Sequence, residues 1–305
     1  MPLPLDHAIR AAGATVKCPD APVLSDPKGQ FALNVNSCHF LFSHGLEGHP
    51  FFELPNLIEL AKRPLPNGAY WSNGAVGVTD HWDANGHPRL TLVDTLANIG
   101  DNNSLVILKK VAKDPVYGPL FQELSAKIAA LCGEEMRQEM GFGEASILIS
   151  SPNRITSYHM DRDCNFLFQI AGDKTLYVYD QNDRQLVSHE AREQFYSGNA
   201  NSITHPGPGH RSVKAYELHA GDGVHIPVFA PHCARVGDNI SVAVAVIFFL
   251  RSVINEGRIY HVNALLRKLG ASPTPPGISP WRDRLKLAAA NSYRNTRDRL
   301  ASTHD

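Results

Sequence analysis

The sequence predicts a mainly β protein, a sandwich or barrel of short strands with helices on both flanks. Three observations predict it. Between Ala145 and Phe249, short apolar and β-branched runs recur, parted by Gly, Pro and Asp turn signals. Before and after that region the apolar residues switch to helical spacing. Within it, residues 154–174 place His159-Met160-Asp161 just ahead of two β-rich runs, 165–170 and 174–180, separated by Gly172-Asp173. That succession reads as a hairpin.

In chain order, the first fifty residues are punctuated by Pro, Gly, Asn and His, with a short strand expected at 31–35. His39, His44 and His49 read as polar loop histidines. Residues 54–62 carry Leu57, Leu60 and Ala61 at helical spacing, and 66–90 read as strands and turns around Asn67-Gly68, Asn73-Gly74 and Asn85-Gly86. A helix is expected over 91–99, a strand over 104–108, and a helix from Asp114 to about Cys132. Asp114 suits its cap, Pro115 its first position, and Leu120, Leu124, Ile128 and Leu131 form its apolar stripe. Strands follow at 146–150, around His159, at 165–170 and at 174–180, then a short helix at 188–196 and a loop at 201–209. Further strands are expected at 212–218, 223–227, 232–236 and 239–249. The chain then turns helical over 255–269, capped by Gly270, crosses a Pro- and Gly-rich linker, and ends in a basic helix over 281–300, read as a solvated face because acids are interleaved.

The composition bounds what such a fold can do. The chain has 305 residues, 43% of them hydrophobic, 21 prolines and a formal charge of −1. That length and core suit one large domain or two small ones, and the near-neutral charge gives no pull toward nucleic acid or acidic membranes. The five cysteines, Cys18, Cys38, Cys132, Cys164 and Cys233, are scattered and odd in number, which argues for a reducing compartment rather than a disulfide framework. The N-terminus lacks a basic region followed by an apolar core, and the longest apolar run, 242–250, is too short to span a bilayer. A soluble, cytoplasmic protein with no membrane or nucleic-acid partner is expected.

Chemistry concentrates at 154–174. On an extended segment residues i and i+2 share a face, so His159 and Asp161 would present an imidazole and a carboxylate together. His232, in another strand-like region, supplies a second imidazole. Two histidines and one carboxylate form a facial set that leaves half of an octahedral metal open, the pattern of non-haem Fe(II) oxygenases. A lone H-x-D is weak: His81-Trp82-Asp83 is another, but it runs straight into the turn signal Ala84-Asn85-Gly86.

With these residues in view, the run 145–249 resembles the JmjC / cupin-like branch of the Fe(II)- and 2-oxoglutarate-dependent oxygenases. The nearest motifs are those of JmjC hydroxylases such as the asparaginyl hydroxylase that inhibits hypoxia-inducible factor. His159, Asp161 and His232 occupy the places of the family's H-x-D and distal histidine. The segment from Gly221-Asp222-Gly223 through Ile226-Pro227 to His232 is similar to its "G-D … I-P … H" stretch, and 240–249 to its closing strand. Three spaced residues extend the match: Thr156, three before the first histidine, Asn165, six after it, and Lys174, fifteen after it.

The resemblance implies a double-stranded β-helix, a cupin or jelly-roll barrel of the JmjC type. It would occupy 144–251, between an N-terminal α/β region at 1–143 and a C-terminal helical region at 252–305. It implies Fe(II) held by His159, Asp161 and His232, with O2 and the cosubstrate 2-oxoglutarate. Lys174 and the Thr156 hydroxyl would hold the distal carboxylate, and Asn165 would lie near the carboxylate that chelates iron. Asp161 rather than glutamate tilts the reading toward hydroxylation of a peptide side chain or small molecule. Ala245 departs from the family, standing where the asparaginyl hydroxylase has an asparagine near the cofactor. The C-terminal helices resemble, in position, those that mediate dimers in related hydroxylases, which implies a homodimer.

Two other readings stay open: a metal-dependent cupin enzyme that does not use 2-oxoglutarate, and a non-catalytic cupin-like binding or regulatory module. Among nearby residues, Lys174, Leu176 and Val178 share a strand face, with Lys174 at the rim of an apolar wall. Inside a barrel its ammonium would need an anion. Tyr158 and Tyr177 are either pocket-lining or core aromatics. Cys233, adjacent to a ligand, points to the opposite face and reads as a buried thiol. His205, His210 and Arg211 lie in or beside a Pro/Gly loop, either as loop residues or in contact with substrate.

Overall fold

The computed structural model describes residues 23–64, 68–81 and 90–301, without the side chains of 295–301. The strands are β1 (Leu24–Ser25), β2 (Phe40–His44), β3 (Ala69–Ser72), β4 (Leu105–Leu108), β5 (Met140–Ser150), β6 (Ile155–His159), β7 (Cys164–Ala171), β8 (Lys174–Tyr179), β9 (Val213–Leu218), β10 (Asp222–Ile226), β11 (His232–Val236) and β12 (Ser241–Leu250). The helices are α1 (Gln30–Asn34), α2 (Leu54–Ala61), α3 (Leu92–Ala97), α4 (Gly118–Leu131), α5 (Glu134–Glu139), α6 (His189–Tyr196), α7 (Arg251–Lys268) and α8 (Pro280–Ala301). Among the described residues no helix is long and apolar enough to cross a membrane.

All pairings are antiparallel, and they build two sheets. One has the order β1-β2-β10-β7-β12-β5-β4-β3, the other β6-β11-β8-β9. Strands β5 to β12 therefore face each other as 5-12-7-10 over 6-11-8-9, which is jelly-roll topology, a barrel flanked by helices. The N-terminal strands β1 to β4 extend the larger sheet at both ends.

This topology overturns the hairpin expected at 165–180. β7 pairs with β10 and β12, whereas β8 pairs with β11 and β9, so the two strands lie in opposite sheets. The Gly172-Asp173 turn carries the chain across the barrel. Gly172 has φ 69°, and a Cβ there would overlap the Ile240 carbonyl oxygen and the Asn239 side chain. Left-handed backbone and close approach together admit only glycine. Gly172→Ala should cost roughly 2–5 kcal/mol of stability, measured as a lowered denaturation midpoint; an unchanged midpoint would refute the crossing geometry.

The alternation of β7 explains why both its faces are apolar. Phe166 and Phe168 point to the outer face, where Phe166 stacks on Phe31 at 5.3 Å and 6° and Phe168 meets Phe42 edge-on at 5.1 Å. Leu167 points into the barrel, into a cluster with Leu176, Val178, Tyr216, Leu218, Val224, Ile226 and Ala243. A sheet covered on both sides shows no polar alternation.

The aromatic layer also corrects the reading of the N-terminus. Residues 30–34 form helix α1, not a strand: Asp26 accepts the Phe31 N–H, and Phe31 drops fully buried onto the sheet. His44 and His49 are buried rather than loop-exposed. His44 ends β2, whose buried positions Phe40, Phe42 and His44 alternate with exposed Leu41 and Ser43. Its Nδ1 accepts from the Leu46 N–H and its Nε2 bonds the Asp222 carbonyl. Burial lowers the pKa of both imidazoles.

Elsewhere the periodic segments form where expected, with shifted ends. Helix α4 begins at Gly118, because Asp114 caps a preceding turn through the Val116 and Tyr117 N–H groups while both its oxygens bind Arg63. Leu120, Leu124 and Ile128 are buried in the core, but Leu131 is 38% exposed and leaves the stripe. Asn67-Gly68 and Asn85-Gly86 fall wholly or partly outside the described residues, as does Cys18.

Candidate metal centre

Register places the candidate ligands before any side chain is considered. In the smaller sheet His232 pairs with His159 on one side and with Val178 on the other; Ala234 pairs with Thr156 and Leu176, and Val236 with Lys174. Directly paired residues share a face, and so do i and i+2 on one strand. His232, Ala234 and Val236 therefore fix the face on which Lys174, Leu176 and Val178 lie. Between the His232 and Ala234 pairs the register shifts, leaving Ser157 and Tyr158 opposite Cys233 alone. This bulge puts Thr156 and His159, three residues apart, on the same face. That face is the barrel interior, since Leu176 and Val178 belong to the interior cluster.

The expected pairing of His159 with Asp161 forms, although β6 ends at His159 and Asp161 sits two residues beyond it, in the irregular segment before β7. Its Oδ2 lies 3.7 Å from His159 Nε2 and 3.8 Å from His232 Nε2. The three ligand atoms all fall within 4.8 Å of one another.

Each imidazole is held for ligation by its other nitrogen. His159 Nδ1 donates to the Ser157 carbonyl at 2.8 Å, and His232 Nδ1 to the Ala230 carbonyl at 3.0 Å. A carbonyl accepts only from N–H, so both rings carry a proton on Nδ1 and point Nε2 toward Asp161. Burial, reinforced by neighbouring His159, holds His232 well below the usual histidine range and keeps it neutral. The donor set of two imidazoles and one carboxylate suits Fe(II) and related borderline ions.

The rest of the predicted set occupies the same interior. Asn165 pairs with Ile226 and Ile247 and shares the inward face of β7 with Leu167. Its Oδ1 is buried without a hydrogen-bond partner, a cost that a bound ligand would offset. Lys174 is 7% exposed, and among the described residues no carboxylate or hydrogen-bond partner meets its ammonium. Burial lowers its pKa to about 8. A buried cation at one end of an apolar wall and a ligand triad at the other fit a metal-chelating dicarboxylate. Ala245 lies across from Ser146 and Leu167 on the inward face, so Ser146 is the polar residue paired with it in register.

Tyr158, His205 and His210 are engaged by neighbouring side chains. Tyr158 lies buried, its ring edge-on to Tyr179 and His205 at 5.2 and 5.1 Å. His205 Nε2 bonds the Tyr179 hydroxyl, and His210 Nδ1 the Ser212 hydroxyl. Cys233 is a buried thiol, pushed up to about 11 by burial. The decoy His81 pairs with the Asn201 side chain, and the rest of its motif lies outside the described residues.

Three groups escaped the sequence. Asp163 stands beside Asp161, its carboxyl pushed up to about 7 by burial and then by the Asp161 charge. His225 is fully buried; its Nδ1 donates to the Asn165 carbonyl, its Nε2 accepts from Asn36 N–H, and Asn36 Oδ1 accepts from Val228 N–H. Phe229 adopts φ 60°, a left-handed conformation that costs a bulky residue about 1–2 kcal/mol. Only His225 had a signal, as a histidine in an otherwise apolar strand.

The fold and this cluster together define a jelly-roll barrel with a facial two-histidine, one-carboxylate ligand set. No protein-family model matches the chain, and no curated protein matches it by sequence. Among solved structures it is similar to the Escherichia coli ribosomal oxygenase YcfD, with TM-score 0.49 and 14% identity over 90% of this chain and 68% of that one. It is also similar to YcfD in complex with cobalt and 2-oxoglutarate, with TM-score 0.48 and 16% identity over 85% of this chain and 64% of that one. At this level of similarity no residue role is carried over. The likeness to the asparaginyl hydroxylase rests on motif spacing alone.

Proposed function

We propose that the chain is a cytoplasmic Fe(II)- and 2-oxoglutarate-dependent oxygenase that hydroxylates an unactivated C–H bond of a peptide side chain or small molecule. One observation carries this reading: a single inward barrel face presents three convergent ligand atoms at one end and an ammonium without a counter-charge at the other. Lys174 lies four residues from Val178 along β8, about 13 Å of strand. A stem of four methylenes directed along the strand would bring the charge toward the metal end. A dicarboxylate chelating at the triad would reach it.

His159, Asp161 and His232 would hold the metal and leave three positions free. Bound there with 2-oxoglutarate and O2, the metal supplies oxidative decarboxylation to succinate and CO2, with the second oxygen atom inserted into the substrate C–H bond. The protein's part is orientation and exclusion of water. Thr156 and Lys174 would take the distal carboxylate, Asn165 would steady the chelating end, and Leu176, Val178 and Ile226 wall the space between with hydrocarbon.

Anaerobic addition of Fe(II) and 2-oxoglutarate should produce a weak visible charge-transfer band, and admission of air should yield succinate. Absence of both would sink the reading. Turnover that does not consume 2-oxoglutarate would identify a metal-dependent barrel enzyme of another kind. Ligand binding without oxygen uptake would identify a binding module.

A further inference from the structure

Two of the three ligand side chains are anchored by an imidazole Nδ1, but Asp161 has no such anchor. Its side chain is 43% exposed, and nothing among the described residues donates a conventional hydrogen bond to its carboxylate. What fixes it is its own backbone. The Phe229 N–H donates to the Asp161 carbonyl at 2.7 Å. Phe229 belongs to the turn between β10 and β11, closed by the Ala230 N–H on the Pro227 carbonyl. The same turn offers the Ala230 carbonyl to His232 Nδ1. One short turn thus orients two ligands from opposite sides.

That turn is held in a conformation a phenylalanine does not choose unaided. Phe229 sits at φ 60°, and its buried ring lies between helix side chains. The Arg192 guanidinium on α6 covers it at 4.6 Å from the ring centre. Phe195 and Tyr196 meet it edge-on at 5.9 and 5.8 Å. Arg192 is itself fixed, by Glu256 on α7 at 3.1 Å and by the Gln181 carbonyl at 3.2 Å. Glycine at 257 completes the fit, because a Cβ there would overlap the Tyr196 ring. A chain of contacts therefore runs from helix α7, which follows the barrel, through Arg192 and Phe229 to Asp161. Backbone outliers that survive only because their surroundings over-determine them are a mark of functional sites.

We infer that Phe229 is a positioning residue for the metal centre and that Arg192, braced by Glu256, is the clamp that keeps it in place. The inference rests on the proposed metal centre. It assigns helices α6 and α7 a part in metal binding that none of their side chains performs by direct ligation. Loosening the clamp lets the turn relax, withdraws the N–H from Asp161 and lets the carboxylate swing out of the facial set.

The test is Co(II) binding to the full chain, followed by titration calorimetry and by the visible bands of the bound ion. Co(II) binding needs no turnover. Arg192→Met and Glu256→Gln lie outside the ligand set and should weaken Co(II) binding, Arg192→Met by roughly 10-fold or more, with shifted visible bands. Phe229→Gly, which tolerates the backbone conformation but lacks the ring, should do the same, whereas Phe229→Tyr should restore wild-type affinity. The inference is overturned if Arg192→Met and Phe229→Gly lower the melting temperature of the metal-free protein yet bind Co(II) with wild-type affinity and bands. Failure of the wild-type chain to bind Co(II) is a different result: it would bring down the metal centre itself, and this inference with it.

Discussion

Lys174→Met should make the metal-free protein more stable and, at the same time, poorer at binding 2-oxoglutarate. The first half follows from burial without a partner. Lys174 is 7% exposed and has no counter-charge among the described residues. An uncompensated buried charge is a net cost, and replacing buried charges by hydrocarbon of similar volume is commonly worth ~1–4 kcal/mol. Methionine keeps the length of the stem and adds no charge. The second half follows from the loss of a charge-assisted contact to the distal carboxylate. At about 1.5–3 kcal/mol, it corresponds to roughly 10- to 100-fold weaker binding.

The pH dependence separates this account from a packing effect. Burial lowers the Lys174 pKa from 10.5 to about 8, so on alkaline titration the folded chain loses its proton before the unfolded chain does. Between those values the unfolded state holds more protons, and wild-type stability rises with pH. The advantage of Lys174→Met is therefore largest below about pH 8 and shrinks toward pH 10.5. Thermal melts of both proteins across that range measure it. A constant difference would mean that the gain comes from shape, and a destabilised variant would mean that Lys174 has a partner.

Much of this site was legible because it is written in local chemistry and in spacing. Thr156, His159, Asn165, Lys174 and His232 were placed by motif, and the register puts them on inward faces of one barrel. Strand parity alone would have set Thr156 and His159 on opposite faces, since three residues separate them. The bulge at Ser157-Tyr158 removes that conflict, and bulges leave no clear mark in composition. The hairpin error has the same root. Local signals mark a turn at Gly172-Asp173 but do not say whether the chain folds back in its sheet or crosses to the other. That choice belongs to β11 and β12, which supply the partners of β8 and β7 from some sixty to eighty residues downstream.

Phe229 was illegible for a stronger reason. An aromatic residue carries no preference for positive φ, and what holds it there, Arg192 and Glu256, lies on two helices distant in sequence. The same holds for Asn36, whose backbone and side chain close on His225 and Val228 from the far N-terminal side. Supports of this kind are defined by tertiary contact, so they become visible only with the fold.

His232→Ala should abolish metal binding while leaving the barrel folded. The imidazole contributes one hydrogen bond to the Ala230 carbonyl and no support to the sheet that its backbone does not already give. Its neighbour Cys233 cannot take over, because the adjacent strand position faces the opposite side and burial pushes that thiol up to about 11, away from the thiolate a metal needs. Removing a partner that only orients a ligand costs roughly 10- to 100-fold in affinity, so removing the ligand itself should cost more and take succinate formation below detection. The order of losses is the sharper test. On the proposed reading the metal would supply most of the cosubstrate's grip, so His232→Ala should lose Co(II) and 2-oxoglutarate together. Lys174→Met should lose 2-oxoglutarate and keep Co(II). Equal loss of both ligands in both variants, with a lowered melting temperature, would mean that the two residues hold up the barrel rather than divide one cosubstrate between its ends.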